Sequence, residues 1–124
     1  IKEVRLNLGS NVKILQENIF NLTPETLANY GEFHGIVSDM APSTTGDRER
    51  DHFASMELCE KAFYFAENFL KKDGFFICKM FDGIDSPAFI KNIRKNFNFF
   101  KALRPKATKK QSREVFLIGN GFKR

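Results

Sequence analysis

Asp73-Gly74-Phe75-Phe76-Ile77-Cys78-Lys79-Met80-Phe81 is the stretch whose reading decides the fold. Its apolar centre, Phe75 to Cys78, runs without polar alternation, the pattern of a strand covered on both faces in a helix-flanked parallel sheet. Upstream, residues from about Arg50 to Lys71 predict the longest helix. Phe53, Met56, Ala62, Phe63, Ala66, Phe69 and Leu70 fall close to helical spacing there, and Asp73-Gly74 ends the element. Before it, Gly35 to Ser38 and Val12 to Gln16 predict strands, and Met40 to Glu49 carries turn chemistry. Thr23-Pro24-Glu25 offers an N-cap and a proline at the first helical position, opening a short helix that ends near Tyr30-Gly31. Ser86-Pro87 repeats that signal for a helix to about Asn96. Asn98 to Leu103 predicts a strand, Pro105 to Ser112 a basic loop, and Val115 to Ile118 a last strand, antiparallel to its predecessor across that short loop. The order β-α-β-α-β-α-β-β is an α/β pattern: a mostly parallel sheet with an antiparallel last strand.

A chain of 124 residues with 42% apolar residues is large enough for one packed domain, and disfavours disorder. No apolar run approaches the ~20 residues that span a bilayer, so no membrane association is expected. The opening Ile-Lys-Glu-Val-Arg carries no signal peptide and reads as the middle of a longer protein. Cys59 and Cys78 lie in apolar segments without metal-ligand spacing, so two reduced thiols in an intracellular protein are expected, and no metal. The net charge of +5 hides an asymmetry. Residues 1–90 hold 9 Lys/Arg against 14 Asp/Glu, whereas residues 91–124 hold 11 Lys/Arg against Glu114 alone. So basic a tail favours a polyanionic partner, a solvated basic surface being the alternative.

Three ionisable residues stand at strand edges. Asp39 follows His-Gly-Ile-Val-Ser, Lys79 follows Phe-Phe-Ile-Cys, and Glu114 opens Glu-Val-Phe-Leu-Ile-Gly. Singly, each has an ordinary reading: Asp39 as a loop or capping residue, Lys79 snorkelling to solvent, Glu114 paired on the surface with Arg113 or Lys110. Together they predict convergence on one rim of the sheet, where open α/β sheets bind ligands. An Asp–Lys–Glu cluster there is a candidate proton-handling site.

Ser38-Asp39-Met40-Ala41-Pro42, followed by Thr45-Gly46 and Asp51, resembles a signature of the FtsJ/RrmJ family of ribosomal RNA ribose 2′-O-methyltransferases. Cys78-Lys79-Met80-Phe81 with Gly83 resembles the family's Lys-x-Phe-x-Gly strand end. Arg104-Pro105-Lys106-Ala107-Thr108 and then Ser112-Arg113-Glu114-Val115-Phe116 resemble its closing segment, and the match runs from about Val12 to Gly121. The resemblance implies a Rossmann-like class I methyltransferase sheet, S-adenosylmethionine as cofactor, and 2′-O-methylation of a ribose in large-subunit ribosomal RNA. It makes Asp39, Lys79 and Glu114 the last three members of a Lys-Asp-Lys-Glu tetrad, with Asp39 also close to the methionine end of the cofactor. Asn18 takes the position of an adenine-contacting Asp. Arg48 and Arg50 beside the loop after Asp39, and Lys106, Lys109, Lys110 and Arg113 flanking Glu114, are the candidate RNA contacts. The implied partner is ribosomal RNA or the large ribosomal subunit, met by a monomer in the cytoplasm, a mitochondrion or a plastid. Messenger-RNA cap or transfer-RNA ribose methylation is the alternative within the same chemistry. A non-catalytic RNA-binding remnant of the fold is the alternative outside it. Met-Ala-Pro after Asp39 looks more like the ribosomal branch.

The family's glycine-rich Asp-Leu-Gly-x-x-Pro-Gly-Gly-Trp turn, and the tetrad Lys before it, have no counterpart in the sequence, and Leu8-Gly9-Ser10 is too short to replace the turn. Residues 1–124 therefore read as a single partial methyltransferase domain lacking its first strands. The charge argument agrees. A Lys acts as a base near neutral pH only if burial or a second cation lowers its pKa, and carboxylates do the reverse. With Asp39 and Glu114 as its only neighbours, Lys79 should be held protonated, and the chain alone should catalyse poorly.

Overall fold

A computed structural model of the chain describes Glu25 and residues 32–39, 44–104 and 113–124. Its elements are β1 (Phe33–Ser38), α1 (Arg48–Phe69), β2 (Leu70–Phe81), α2 (Ser86–Arg94), β3 (Phe97–Leu103) and β4 (Glu114–Phe122). The strands form one sheet in the order β1-β2-β4-β3. β1 is parallel to β2, and β4 is antiparallel to both of its neighbours, so three strands point one way and the last in sequence opposes them. The fold is the expected α/β sheet with an antiparallel last strand. The predicted strand Val12–Gln16, the helix from Thr23 to Gly31 apart from Glu25, Met40 to Ser43 and all of the basic loop Pro105 to Ser112 lie outside the described residues.

α1 begins two residues before its predicted start because Asp47 is an effective N-cap. Its carboxylate accepts from the Glu49 and Arg50 amides at 3.0 and 3.3 Å. Glu49 and Asp51 in the first turn suit the positive end of the helix dipole. At its other end the helix passes directly into β2, with Leu70 already extended. Asp73-Gly74 therefore does not stop the helix as predicted. It makes a bulge inside β2, where the pairing jumps from Phe33↔Leu70 to Gly35↔Phe75 and Asp73 adopts φ 67. A Cβ on Gly74 would lie 2.7 Å from the His34 carbonyl oxygen, so the close approach of β1 requires glycine.

The apolar run of β2 is also corrected. Phe76, Cys78 and Met80 are buried beneath α1 and α2 with Met56, Phe63, Ile93, Val115 and Leu117, but Phe75 is 42% exposed and Ile77 half-buried. Among the described residues the helices cover one face of the sheet, so β2 alternates in burial although its sequence does not alternate in polarity. Cys59 and Cys78 are buried, free thiols 2.9 Å apart, as expected of core residues. At α2 the N-cap is Asp85 rather than the predicted Ser86, whose hydroxyl instead accepts from the Gly83 amide at 2.8 Å. β3 and β4 pair antiparallel as predicted, but β4 inserts between β2 and β3, a placement the short loop did not reveal. Among the described residues no helix is long and apolar enough to cross a membrane.

Candidate active site

β1 ends at Ser38, paired with Cys78, so Asp39 and Lys79 are the next residues on the two neighbouring strands. Both leave the sheet on the face opposite the buried Ser38 and Cys78. On the other side of β2, Lys79 pairs with Phe116 and Phe81 with Glu114, so Glu114 is the diagonal neighbour of Lys79 on that same face. Lys79 Nζ lies 2.8 Å from Asp39 Oδ1 and 3.8 Å from Glu114 Oε1. The Lys79 side chain is 17% exposed, against 74% for Asp39 and 41% for Glu114. The hydrogen bond to Asp39 raises the Lys79 pKa above that of a free lysine. Burial opposes this, and the charges of Asp39 and Glu114 reinforce it. The three residues singled out in the sequence do converge, with Lys79 central and protonated.

Beyond Ser38, β2 has no parallel partner among the described residues, and one stripe of α1 takes over its main chain. His52 Nδ1 donates to the Phe81 carbonyl at 2.9 Å, and the Phe81 amide donates to Ser55 Oγ at 2.9 Å. The Cys59 thiol donates to the Lys79 carbonyl at 3.2 Å. The spacing 52, 55, 59 is one helical face, so α1 anchors the backbone on both sides of the Lys79–Phe81 step. His52, Ser55 and Cys59 are all buried. His52 is thus a structural residue that holds the β2 backbone.

The other candidates are more dispersed. Arg48 and Arg50 are exposed in the first turn of α1, directly beside the loop after Asp39. Arg113, just before β4, stacks its guanidinium 5.4 Å from the Phe81 ring centroid. Asn18, Lys106, Lys109 and Lys110 lie outside the described residues. Among the described residues no cluster of His, Cys, Asp and Glu could hold a metal ion.

The family model for FtsJ-like methyltransferases matches residues 2–122. The chain belongs to the FtsJ-like methyltransferase family. Ribosomal RNA large subunit methyltransferase E of Lawsonia intracellularis is 39% identical over 127 residues, a match covering all of this chain and 64% of that protein. The protein of the same name from Desulfatibacillum aliphaticivorans is 43% identical over 110 residues, covering 88% of this chain and 53% of that protein. In three dimensions the chain resembles a crystal structure from Plasmodium falciparum, described as that of a ribosomal RNA methyltransferase. The TM-score is 0.69 at 25% identity, covering 92% of this chain and 61% of that one. The chain therefore spans roughly half to two thirds of the length of these FtsJ-like relatives.

Asp51 belongs to the family signature noted in the sequence, but the sequence assigned it no task. It is buried, and its Oδ1 accepts from the Thr45 amide and hydroxyl, both at 2.9 Å. Its Oδ2 lies 3.8 Å from Arg113 Nη2. The backbone hydrogen bond from Thr45 leads in lowering its pKa, outweighing burial, so the carboxylate stays charged. Asp51 thereby ties the loop after Asp39 to the residue before Glu114. Nothing in its local sequence distinguished it from an ordinary first-turn acid. Asp82 was also missed: its carboxylate accepts from Arg104 Nε at 3.1 Å and from the Gly83 amide at 3.1 Å, which holds the turn after Phe81.

Proposed function

We propose that this chain carries the substrate side of the active site of an S-adenosylmethionine-dependent 2′-O-methyltransferase acting on a ribose of large-subunit ribosomal RNA. The observation that carries the reading is the Lys79 ammonium held 2.8 Å from Asp39 and 3.8 Å from Glu114 at the sheet rim. The names of the relatives supply the substrate class.

When bound, S-adenosylmethionine supplies an electrophilic methyl group. Of the described residues Asp39 suits that cofactor, since its carboxylate is largely exposed and Lys79 engages one of its oxygens. A second carboxylate oxygen therefore remains for an ammonium or sulfonium neighbour. Lys79 faces the ribose hydroxyl. As an ammonium it donates to the hydroxyl oxygen and aligns it for in-line displacement, the hydroxyl proton passing to solvent once the methyl group has been transferred. As an amine it accepts the hydroxyl proton. The first role needs only the pair of carboxylates present here. The second needs an added cation to oppose them. Glu114 limits the freedom of the ammonium from the far side, and Asp39 tunes its charge. Arg48, Arg50 and Arg113, with Lys106, Lys109 and Lys110, contribute phosphate contacts, and the protein acts as a monomer.

In the full-length protein, Lys79→Ala is expected to lower methyl transfer to large-subunit ribosomal RNA by about 10²–10⁴-fold while sparing RNA binding. Transfer of labelled methyl groups and a filter-binding assay measure the two. Retained turnover removes Lys79 from its role, and no calorimetric heat between the full-length protein and S-adenosylmethionine would sink the enzyme reading.

A further inference from the structure

A cavity of about 590 Å³ opens at the same rim, between the start of α1, the turn after β2 and the residue before β4. Arg48, Glu49, His52, Asp82, Gly83, Ile84 and Arg113 line it. Its size is that of a small-molecule site. Its floor is rigid, because His52 is buried and bonded at both ring nitrogens, to the Phe81 carbonyl and, at 3.3 Å, from the Asp85 amide. Gly83 is required there: a Cβ on it would lie 2.3 Å from the His52 ring.

The walls have two chemistries. One is cationic. Arg48 is exposed, and the Arg113 side chain, 22% exposed, holds its guanidinium 3.8 Å from Asp51 Oδ2, with Arg113 Nη1 and Asp51 Oδ2 both lacking a hydrogen-bond partner among the described residues. Two acids also line the cavity: Asp82, which already accepts from Arg104 and Gly83, and the exposed Glu49. The other wall is apolar. Ile84, at the tip of the turn, is 83% exposed, more than any other large hydrophobic residue described. Guanidinium donors beside an exposed aliphatic surface match one unstacked nucleotide, with its phosphate on the arginines and its base on the side chain.

We propose that this cavity seats the nucleotide next to the methylated ribose, with its phosphate on Arg48 and Arg113 and its base against Ile84. The proposal rests on the RNA methylation reading above and adds to it a defined subsite. Position supports it. Arg113 adjoins Glu114, and Asp82 is three residues beyond Lys79, roughly 10 Å along the strand, so a chain lying on Lys79 reaches the cavity at its next nucleotide.

The test uses a fluorescein-labelled single-stranded oligoribonucleotide of mixed sequence and the full-length protein, with anisotropy read across a salt series. Arg48 and Ile84 are both exposed, so their replacement leaves the core intact. Arg48→Ala is expected to weaken binding about tenfold or more, and to flatten the dependence of log K on log salt by roughly 0.7 for the phosphate lost. Ile84→Ser should weaken binding with no change in that slope, because it removes an uncharged contact. Wild-type affinity in both variants overturns the proposal, and so does a wild-type protein that does not bind the oligonucleotide. The catalytic reading fails independently, on methyl transfer by wild type and Lys79→Ala, so the two cannot be confused.

Discussion

At the scale of single residues, the decisive property is the charge on Lys79. Its pKa is raised by the hydrogen bond to Asp39 and by the two carboxylate charges, against the opposing effect of burial. A group whose pKa is higher folded than unfolded stabilises the fold below the unfolded value, about 10.4 for Lys, and ceases to do so as pH climbs through the folded value. Urea denaturation of wild type and Lys79→Met should therefore give a constant difference from neutral pH to about 10, shrinking above it. A difference that grows with pH in that range would mean that the ammonium is not held by its carboxylates. The same raised pKa means that the amine form of Lys79 is scarce at neutral pH in this chain, which favours the alignment role proposed above over the basic one. The identities of Asp39, Lys79 and Glu114 were legible because each is a charge interrupting an apolar run. Asp51 was not. A first-turn acid looks the same whether it faces water or, as here, Thr45 and Arg113.

At the scale of elements, α1 does more than cover the sheet. His52, Ser55 and Cys59 bond the main chain of β2 at Phe81 and Lys79, supplying partners that β1 cannot supply after it ends at Ser38. Gly83 lets the following turn close over the His52 ring. Gly83→Ala is expected to destabilise the protein by about 1–3 kcal/mol, since ring and turn cannot both keep their places. Chemical denaturation measures the loss, and an unchanged midpoint would mean that the turn moves aside without cost. Turn chemistry at Asp73-Gly74 was read correctly as a break, but its position was not. The helix had already ended at Phe69, and the break became a bulge because β1 approaches too closely for any side chain at Gly74. The apolar run of β2 shows the same limit. Burial is a property of what packs on a face, and among the described residues α1 and α2 pack on only one.

At the scale of the whole molecule, Asp39 is the one described carboxylate proposed above for S-adenosylmethionine, and residues 1–124 hold no glycine-rich turn. Calorimetry on residues 1–124 should accordingly detect weak binding of S-adenosylmethionine or none, and micromolar affinity would show that these residues hold the cofactor without such a turn. The strongly basic balance of residues 91–124 has its described share on α2, Lys95, β3, Arg104, Arg113 and the end of the chain, while Lys106, Lys109 and Lys110 lie outside the described residues. The sequence by itself determined the α/β class, the antiparallel pairing of β3 with β4, the family, and the three ionisable residues of the cluster. Those follow from periodicity, turn residues and motifs, which are properties of neighbours along the chain. Only the tertiary structure decided that β4 lies between β2 and β3, bringing Glu114 to 3.8 Å from Lys79, and that one stripe of α1 holds the backbone beneath Lys79. Both depend on hydrogen bonds between segments distant in sequence, where the choice of partner rests on the groups each strand leaves unpaired and not on its own composition.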